Sequence, residues 1–173
     1  NTIAVFKPEG YGPNSQQYSY LEQSLQENAR IEQADLKNGH VPEEADLLLV
    51  LAPSELDDKQ RFAIDQFLMQ GGSVVLTTSP FDIQVAQSLN ASKQKSGLED
   101  WLAHHGIQIG ESMVLDPRNA ALPVPVQRNV GGLTLQEYRM LPYPHFPDLR
   151  EDSLHGDNPI TASLGQLTLN WAS

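Results

Sequence analysis

The segment Ala45–Pro80 carries the clearest pattern of hydrophobic and polar positions in the chain. Leu47–Leu51 is apolar at every position, which is typical of a strand buried on both faces of a parallel sheet. Ser73–Thr78 is a second strand candidate that is apolar near its start. Because the residues between these runs repeat apolar side chains at a helical spacing, the segment predicts a strand–helix–strand unit with a right-handed crossover.

The helix of this unit has a start signal and a stop signal. Asp57 and Gln60 have the spacing of a capping box, with aspartate in place of serine or threonine. Gly71 and Gly72 can take the left-handed conformation that ends a helix. The buried stripe of the helix is predicted to comprise Ala63, Ile64, Phe67 and Leu68.

Strand and helix patterns alternate through the first two thirds of the chain. Thr2–Phe6 is a short apolar strand, Ser15 can cap a helix after a Pro/Gly-rich loop, and Ala29–Leu36 is a weaker strand candidate. This alternation predicts a doubly wound α/β domain with a mostly parallel sheet over residues 1–117. Because strand-like residues begin at Asn1, we expect the sequence to be part of a longer protein.

The patterns that follow the central unit are weaker. Phe81–Leu89 is a helix candidate, and Asn90–Lys95 is predicted to be a polar loop. A second capping box at Ser96 and Glu99 predicts a short helix. Ile107–Val114 has the composition of a strand.

Prolines become frequent near the end of the chain and change the expected structure. They stand at Pro123, Pro125, Pro142, Pro144, Pro147 and Pro159. Proline excludes long helices and disfavours central ladder strands near it, because it has no backbone N–H. Short strands fit Val124–Arg128 and Gln166–Trp171. Residues 118–173 are therefore predicted to form a Pro-rich, irregular, β-containing extension packed on the same domain.

Composition narrows the classes of partner and chemistry. The 173 residues carry a formal net charge of −11, which argues against binding nucleic acid or an anionic membrane surface. The chain contains no cysteine, so thiolate catalysis, disulfides and cysteine-ligated metals are excluded. No cofactor is predicted, since Gly10–Gly12 lacks the third glycine of a dinucleotide loop and no Walker A pattern occurs.

Histidines provide a weak metal hypothesis. His104 and His105 are adjacent, so on a helix they point about 100° apart and do not easily face one ion. His145 and Asp148 form a further pair that needs a distant ligand. Solvated or structural histidines are favoured, no metal site is assigned, and a metal-dependent enzyme stays an alternative.

Ser79 is the nucleophile candidate, because it follows a predicted strand as catalytic serines do in α/β hydrolases. A nucleophile elbow needs glycines two positions on either side, where this sequence has Thr77 and Phe81. Pro80 also removes the N–H that stabilises an oxyanion at this place. A turn or capping role for Ser79 is therefore favoured over a degenerate hydrolase, and no catalytic residue is assigned.

Two groups of residues are candidates for binding. Doubly wound sheets hold ligands outside the carboxyl ends of their strands. The residues predicted to lie beyond these carboxyl ends are Lys7, Ser54, Ser79 and Asp116. The second group is the Pro/aromatic segment with Tyr143, His145 and Phe146, which can form a stiff contact surface for a partner. Packing of its rings on the core is the favoured alternative.

The order of several motifs in the chain resembles a known protein family. The motifs are AIDQFLMQGGSVVL at residues 63–76, GLEDWLAHHGIQI at 97–109, MVLDPRNA at 113–120, LPYPHFP at 141–147 and NPITASLGQLTLNWAS at 158–173. They are similar to the extracytoplasmic auxiliary components of ABC-type transport systems associated with gliding motility. The resemblance implies a flavodoxin-like or glutamine-amidotransferase-like domain that works beside an ABC permease and ATPase. Amidotransferase chemistry is not expected, because the nucleophilic cysteine of that fold is missing.

Residues and resemblance together predict a non-enzymatic domain on the periplasmic side of the membrane. It is expected to bind a ligand, a subunit of the ABC transporter or another envelope protein. The resemblance also implies that the full-length protein is anchored to the cytoplasmic membrane through segments outside this sequence. An enzyme and a pure interaction scaffold are the alternatives.

Overall fold

The computed structural model describes residues 1–7, 18–85 and 89–173. The described chain divides into two compact units, Asn1–Gly110 and Glu111–Ser173. The boundary expected from the sequence, between residues 117 and 118, lies further along the chain. The predicted cap at Ser15 and the loop at Gly10–Gly12 fall outside the described residues.

The first unit contains a parallel sheet with helices between its strands. The strands are β1 (Thr2–Phe6), β2 (Arg30–Gln33), β3 (Leu47–Leu51) and β4 (Ser73–Thr77). They pair in the order β2–β1–β3–β4, and every pair is parallel. The helices are α1 (Ser19–Gln26), before β2, and α2 (Asp58–Met69), between β3 and β4. The strand–helix–strand unit and the strand Thr2–Phe6 are confirmed, and β2 is shorter than predicted.

Buried side chains lie on both faces of this sheet. One cluster joins one face to α2 and includes Ala4, Phe6, Leu48, Val50, Ala63 and Ile64. A second cluster joins the other face to the α1 region and includes Val5, Leu49, Leu51, Tyr18 and Leu25. Successive residues of a strand point to opposite faces, which explains why β3 is apolar throughout. The α/β class is thus confirmed.

Both ends of α2 follow the signals in the sequence. The N–H of Gln60 donates to Oδ1 of Asp57 at 2.8 Å, and the N–H of Asp57 donates to Oε1 of Gln60 at 3.1 Å. Gly71 has a φ of +95°, and the N–H of Gly72 donates to the carbonyl of Phe67 at 3.0 Å. This is a Schellman end, which requires a left-handed residue at the position of Gly71.

The region after β4 differs from the prediction. Phe81–Leu89 does not form a helix but begins an antiparallel hairpin of β5 (Phe81–Val85) and β6 (Leu89–Lys93). The helix prediction is wrong because the apolar residues of β5 alternate with polar ones, which is the period of a strand. Most of Asn90–Lys95, which was expected to be a polar loop, belongs to β6, where apolar and polar residues also alternate.

A short helix, α3 (Glu99–His104), follows the hairpin. The N–H of Ser96 donates to Oε1 of Glu99 at 2.7 Å, as in a capping box, but the Ser96 hydroxyl accepts from the N–H of Leu98 at 3.0 Å. Ile107–Val114 is irregular and not the predicted strand, because a strand also needs a neighbouring ladder that local sequence does not reveal. Among the described residues, no helix has the length and hydrophobicity to span a lipid bilayer.

The second unit is built around a long antiparallel pair of strands. β7 (Asn119–Val130) and β8 (Leu133–Arg150) are joined by Gly131 and Gly132, whose φ angles are +59° and +87°. Positive φ at both positions is the signature of a type I′ hairpin turn. β9 (Gln166–Thr168) pairs with the last residues of β8, so that β8 is the middle strand.

The prolines of β7 and β8 do not interrupt this pairing, contrary to the prediction. A two-residue turn is flanked by a hydrogen-bonded pair, here Val130 and Leu133. Hydrogen-bonded and non-hydrogen-bonded pairs then alternate along the strands. Pro123, Pro125 and Pro142 fall in the non-hydrogen-bonded pairs, at positions where an N–H points away from the partner strand. The ladder between the strands therefore keeps its donors.

Candidate functional site

Lys7 directly follows β1 at the carboxyl edge of the sheet. Its Nζ donates to Oε1 of Glu22 in α1 at 2.6 Å, and Nε2 of Gln33 donates to the same oxygen at 3.1 Å. Only 12% of the Lys7 side chain and 20% of the Glu22 side chain are exposed. Burial alone raises the pKa of Glu22, but the hydrogen bonds from Lys7 and Gln33 and the charge of Lys7 outweigh it and lower that pKa. A ligand of Lys7 has to compete with this ion pair.

Ser54 and Ser79 also lie beyond strand ends at the carboxyl edge, after β3 and β4. The Ser54 residue is exposed. The Ser79 hydroxyl oxygen accepts a hydrogen bond from the N–H of Phe81 at 3.1 Å, which is the geometry of a serine turn. Nε2 of Gln94 donates to the Ser79 carbonyl at 3.2 Å. These contacts fit a turn role for Ser79 at the entry to β5.

Asp116 lies in the second unit, unlike the other three predicted ligand residues. Its Oδ1 accepts from the N–H of Arg118 at 2.8 Å, and its own N–H donates to the carbonyl of Pro144 at 3.0 Å. The structure therefore describes three of the predicted residues at one sheet edge, and Asp116 in the loop that precedes β7.

A groove of about 610 Å³ lies at the opposite, amino edge of the parallel sheet. Residues 39–43 and 45–46 form one wall, and Phe62, Gln66 and Phe67 of α2 form the other. The volume falls within the usual range of small-molecule sites, about 300–1,000 Å³. None of the four predicted ligand residues lines this groove. The groove is therefore separate from the edge at which the sequence predicts a ligand.

The Pro/aromatic segment turns its rings towards one another. The ring centroids of Tyr143 and Phe146 are 4.9 Å apart, and those of Phe146 and Trp171 are 4.8 Å apart, both edge to face. His145 lies 5.3 Å from Tyr143, and in the described chain its buried Nδ1 has no hydrogen-bond partner. Phe146 is only 7% exposed and offers little surface to a partner. Partner binding through Tyr143, His145 and Phe146 stays a prediction.

Asp148, the carboxylate paired with His145 in the metal hypothesis, already accepts hydrogen bonds from neighbouring side chains. Nε2 of Gln166 donates to Asp148 at 2.6 Å and Nη2 of Arg150 at 2.9 Å, and these hydrogen bonds hold the pKa of Asp148 below its ordinary value. Within residues 1–7, 18–85 and 89–173, no three His, Asp or Glu side chains are grouped so that they could hold a metal ion.

The sequence does not predict a binding site on residues 121–142 of β7 and β8 with their turn. We call this segment the ribbon. It exposes large apolar side chains, with Leu133 70%, Tyr138 68% and Met140 59% exposed. A signal for it exists, because Gly131–Gly132 between runs of alternating apolar residues is typical of a hairpin. This signal was overlooked because prolines were expected to disfavour central ladder strands near them.

The whole chain, residues 1–173, matches the model of a protein family described as an ABC-type uncharacterized transport system. The chain therefore belongs to this family of auxiliary components of ABC-type transport. The resemblance to an ABC-transport auxiliary protein is confirmed at this level.

An uncharacterized protein of Borreliella burgdorferi is 24% identical to the chain over 126 residues. The match covers 73% of this chain and 23% of the relative. The match thus spans less than a quarter of the relative's length. No solved structure gives a significant match to the chain.

Proposed function

We propose that this chain is a non-enzymatic binding domain of an ABC-transport auxiliary protein and that it holds another protein of the same system through the ribbon. The proposal is carried by the large apolar side chains that the ribbon exposes. Isolated two-stranded ribbons are marginally stable in water, and large exposed apolar patches mark interaction surfaces. A partner that covers the ribbon buries these side chains and stabilises its two strands.

A protein partner fits the contacts better than a small ligand at the carboxyl edge. Lys7 is paired with Glu22, and the Ser79 hydroxyl accepts a backbone N–H. Both groups lose these partners if a ligand takes their place. Ligand binding by Lys7, Ser54, Ser79 or Asp116 therefore stays a prediction, and the ribbon is the favoured surface.

The proposal extends to the location of the domain. The ordered motifs support an extracytoplasmic position, an anchor in the cytoplasmic membrane outside this sequence, and an association with gliding motility. The partners are then the permease and ATPase of the transporter or another envelope protein. Protease treatment of spheroplasts tests the location, since an extracytoplasmic domain is digested while a cytoplasmic marker is protected. Protection of the domain together with the marker contradicts it.

Binding to the purified permease–ATPase complex of the same transport system tests the function. We expect the chain to bind, and a variant with a shortened ribbon to bind at least about tenfold more weakly. In this variant an Asn-Gly turn replaces residues 123–140 and joins Leu122 to Leu141, which face each other in the register. Met69→Ser, which removes an exposed apolar side chain of the first unit outside the groove, is the control and should bind like the wild type. A wild-type chain that does not bind, or a shortened ribbon that binds equally well, contradicts the proposal.

A further inference from the structure

The two faces of the ribbon differ in charge. Residues that face each other in the register share a face, and neighbours along a strand lie on opposite faces. The uncharged face comprises Ala121, Pro123, Pro125, Gln127, Asn129, Thr134, Gln136, Tyr138, Met140 and Pro142. The charged face includes Leu122, Val124, Val126, Arg128, Leu133, Leu135, Glu137, Arg139 and Leu141. Every formal charge of the ribbon therefore lies on one side.

The two valines in the middle of the charged face are already partly covered, whereas Leu133, Leu135 and Leu141 on the same face are exposed. Val126 lies opposite Glu137, and Nη1 of Arg128 is 3.6 Å from Oε1 of Glu137. Val124 and Val126 are half-buried although the ribbon face around them is open. Long charged side chains cover apolar neighbours with their aliphatic stems. A partner that docks on this face covers the exposed leucines but also has to desolvate Arg128, Glu137 and Arg139.

The uncharged face presents its apolar groups openly. Tyr138 lies opposite Pro125, and Met140 lies opposite Pro123. All four residues are exposed. Tyrosine and methionine are enriched at the cores of protein interfaces, where charged residues are depleted. The pair of Tyr138 and Met140, flanked by rigid prolines, has the composition of an interface centre.

Part of each edge of the ribbon cannot donate hydrogen bonds to a further strand. Pro123, Pro125 and Pro142 stand where an N–H points away from the partner strand, and proline has none. An added strand finds no donor at these positions, which is a known way to block edge pairing. Strand addition is therefore disfavoured along β7, whereas the outward positions of β8 between Thr134 and Met140 keep their N–H groups.

We propose that the ribbon docks through its uncharged face, with Tyr138 and Met140 as anchors, onto an uncharged apolar surface of a transporter subunit. The inference rests on the proposed function and adds the kind of surface that the partner presents. Charge matching supports this occupant, because a charge on the partner loses its hydration against this face and gains no counterion.

Titration of variants against the purified permease–ATPase complex tests the docking face. Tyr138→Glu and Met140→Glu should each weaken binding by at least about tenfold. Leu135→Glu is the matched control, since it places the same charge on the opposite face beside Arg128, and it should change affinity by less than about twofold. Binding should also change by less than about twofold between about 50 and 500 mM NaCl, because no charge pairs are screened. Thermal unfolding of each variant verifies that the second unit remains folded.

Several outcomes overturn the inference. One is weaker binding of Leu135→Glu with full binding of Met140→Glu, and another is a steep loss of affinity with salt. Pro125→Thr restores an edge N–H, and a gain of about tenfold in this variant means strand addition. If the chain forms a dimer in light scattering and Met140→Glu abolishes the dimer, the occupant is a second copy. If the chain binds phosphatidylcholine vesicles and Met140→Glu abolishes this binding, the occupant is lipid. If the wild type does not bind the complex, the proposed function itself fails; if it binds and both uncharged-face variants bind equally well, only the docking face is wrong.

Discussion

Glu22→Gln removes the negative charge that faces Lys7 and keeps the shape of the side chain. The two charged atoms are 2.6 Å apart, and both side chains are mostly buried. At an effective dielectric constant of about 20, two unit charges even at 4 Å attract by about 4 kcal/mol. Desolvation of both groups and the acceptor that glutamine retains offset roughly half of this, so we expect a loss of about 2 kcal/mol in the free energy of unfolding.

An exposed ion pair of the same unit provides the control. Nη1 of Arg30 is 3.2 Å from Oε2 of Glu44, and these side chains are 67% and 71% exposed. Exposed pairs contribute little, so Glu44→Gln should lower stability by less than about 0.5 kcal/mol. Urea unfolding followed by Trp101 fluorescence, with Trp171→Phe in every variant, reports the first unit alone because Trp171 belongs to the second.

The effect of Glu22→Gln should also depend on pH. The pKa of Glu22 is lowered from its ordinary value of 4.5, so its charge stabilises the folded state above that pH. This contribution is lost as the pH falls through the lower pKa of the folded state. The difference between wild type and variant should therefore be full at neutral pH and shrink in acid. The reasoning is refuted if Glu22→Gln lowers the free energy of unfolding no more than Glu44→Gln does. It is also refuted if the difference between the wild type and Glu22→Gln persists in acid.

Three further predictions concern other parts of the chain. Gly72→Ala should lower stability by about 1–3 kcal/mol in urea unfolding, because an added Cβ overlaps the ring of Phe67; an unchanged midpoint contradicts this contact. Asp148→Asn should destabilise the second unit at neutral pH and match the wild type in strong acid, because the lowered pKa of Asp148 makes its charge stabilising above a pH of about 3.8. Unfolding followed by Trp171 fluorescence measures this difference. A screen of ester and amide substrates, with and without divalent metals, should show no turnover; turnover that Ser79→Ala abolishes contradicts the non-enzymatic proposal.

Signals that act over a few residues predicted the structure well. The capping pair Asp57 and Gln60 and the stop at Gly71 are local, because the hydrogen bonds they form lie within one helical turn. The apolar run Leu47–Leu51 also indicated its own environment, since a strand covered on both faces is needed to bury Leu48–Leu51 and partly bury Leu47. These elements were sufficient to define the α/β class.

Features that depend on distant partners were predicted poorly. Ile107–Val114 has strand composition but no ladder, and Phe81–Leu89 was assigned by weak helix signals although β5 has the period of a strand. The prolines of the ribbon argue against strands until the register shows that they occupy outward positions. Lys7 was correctly expected at a strand end, but its ion pair with Glu22 depends on how α1 packs on the sheet.

Hydrogen exchange of the chain, alone and with the purified permease–ATPase complex, tests partner binding by the ribbon most directly. Exchange at backbone amides slows where a partner covers and stabilises a segment. Amides of the ribbon, residues 121–142, should become protected in the complex. Amides next to Lys7, Ser54 and Ser79 at the carboxyl edge should exchange as before. Protection at that edge with an unchanged ribbon contradicts the account and favours a ligand-type site on the sheet.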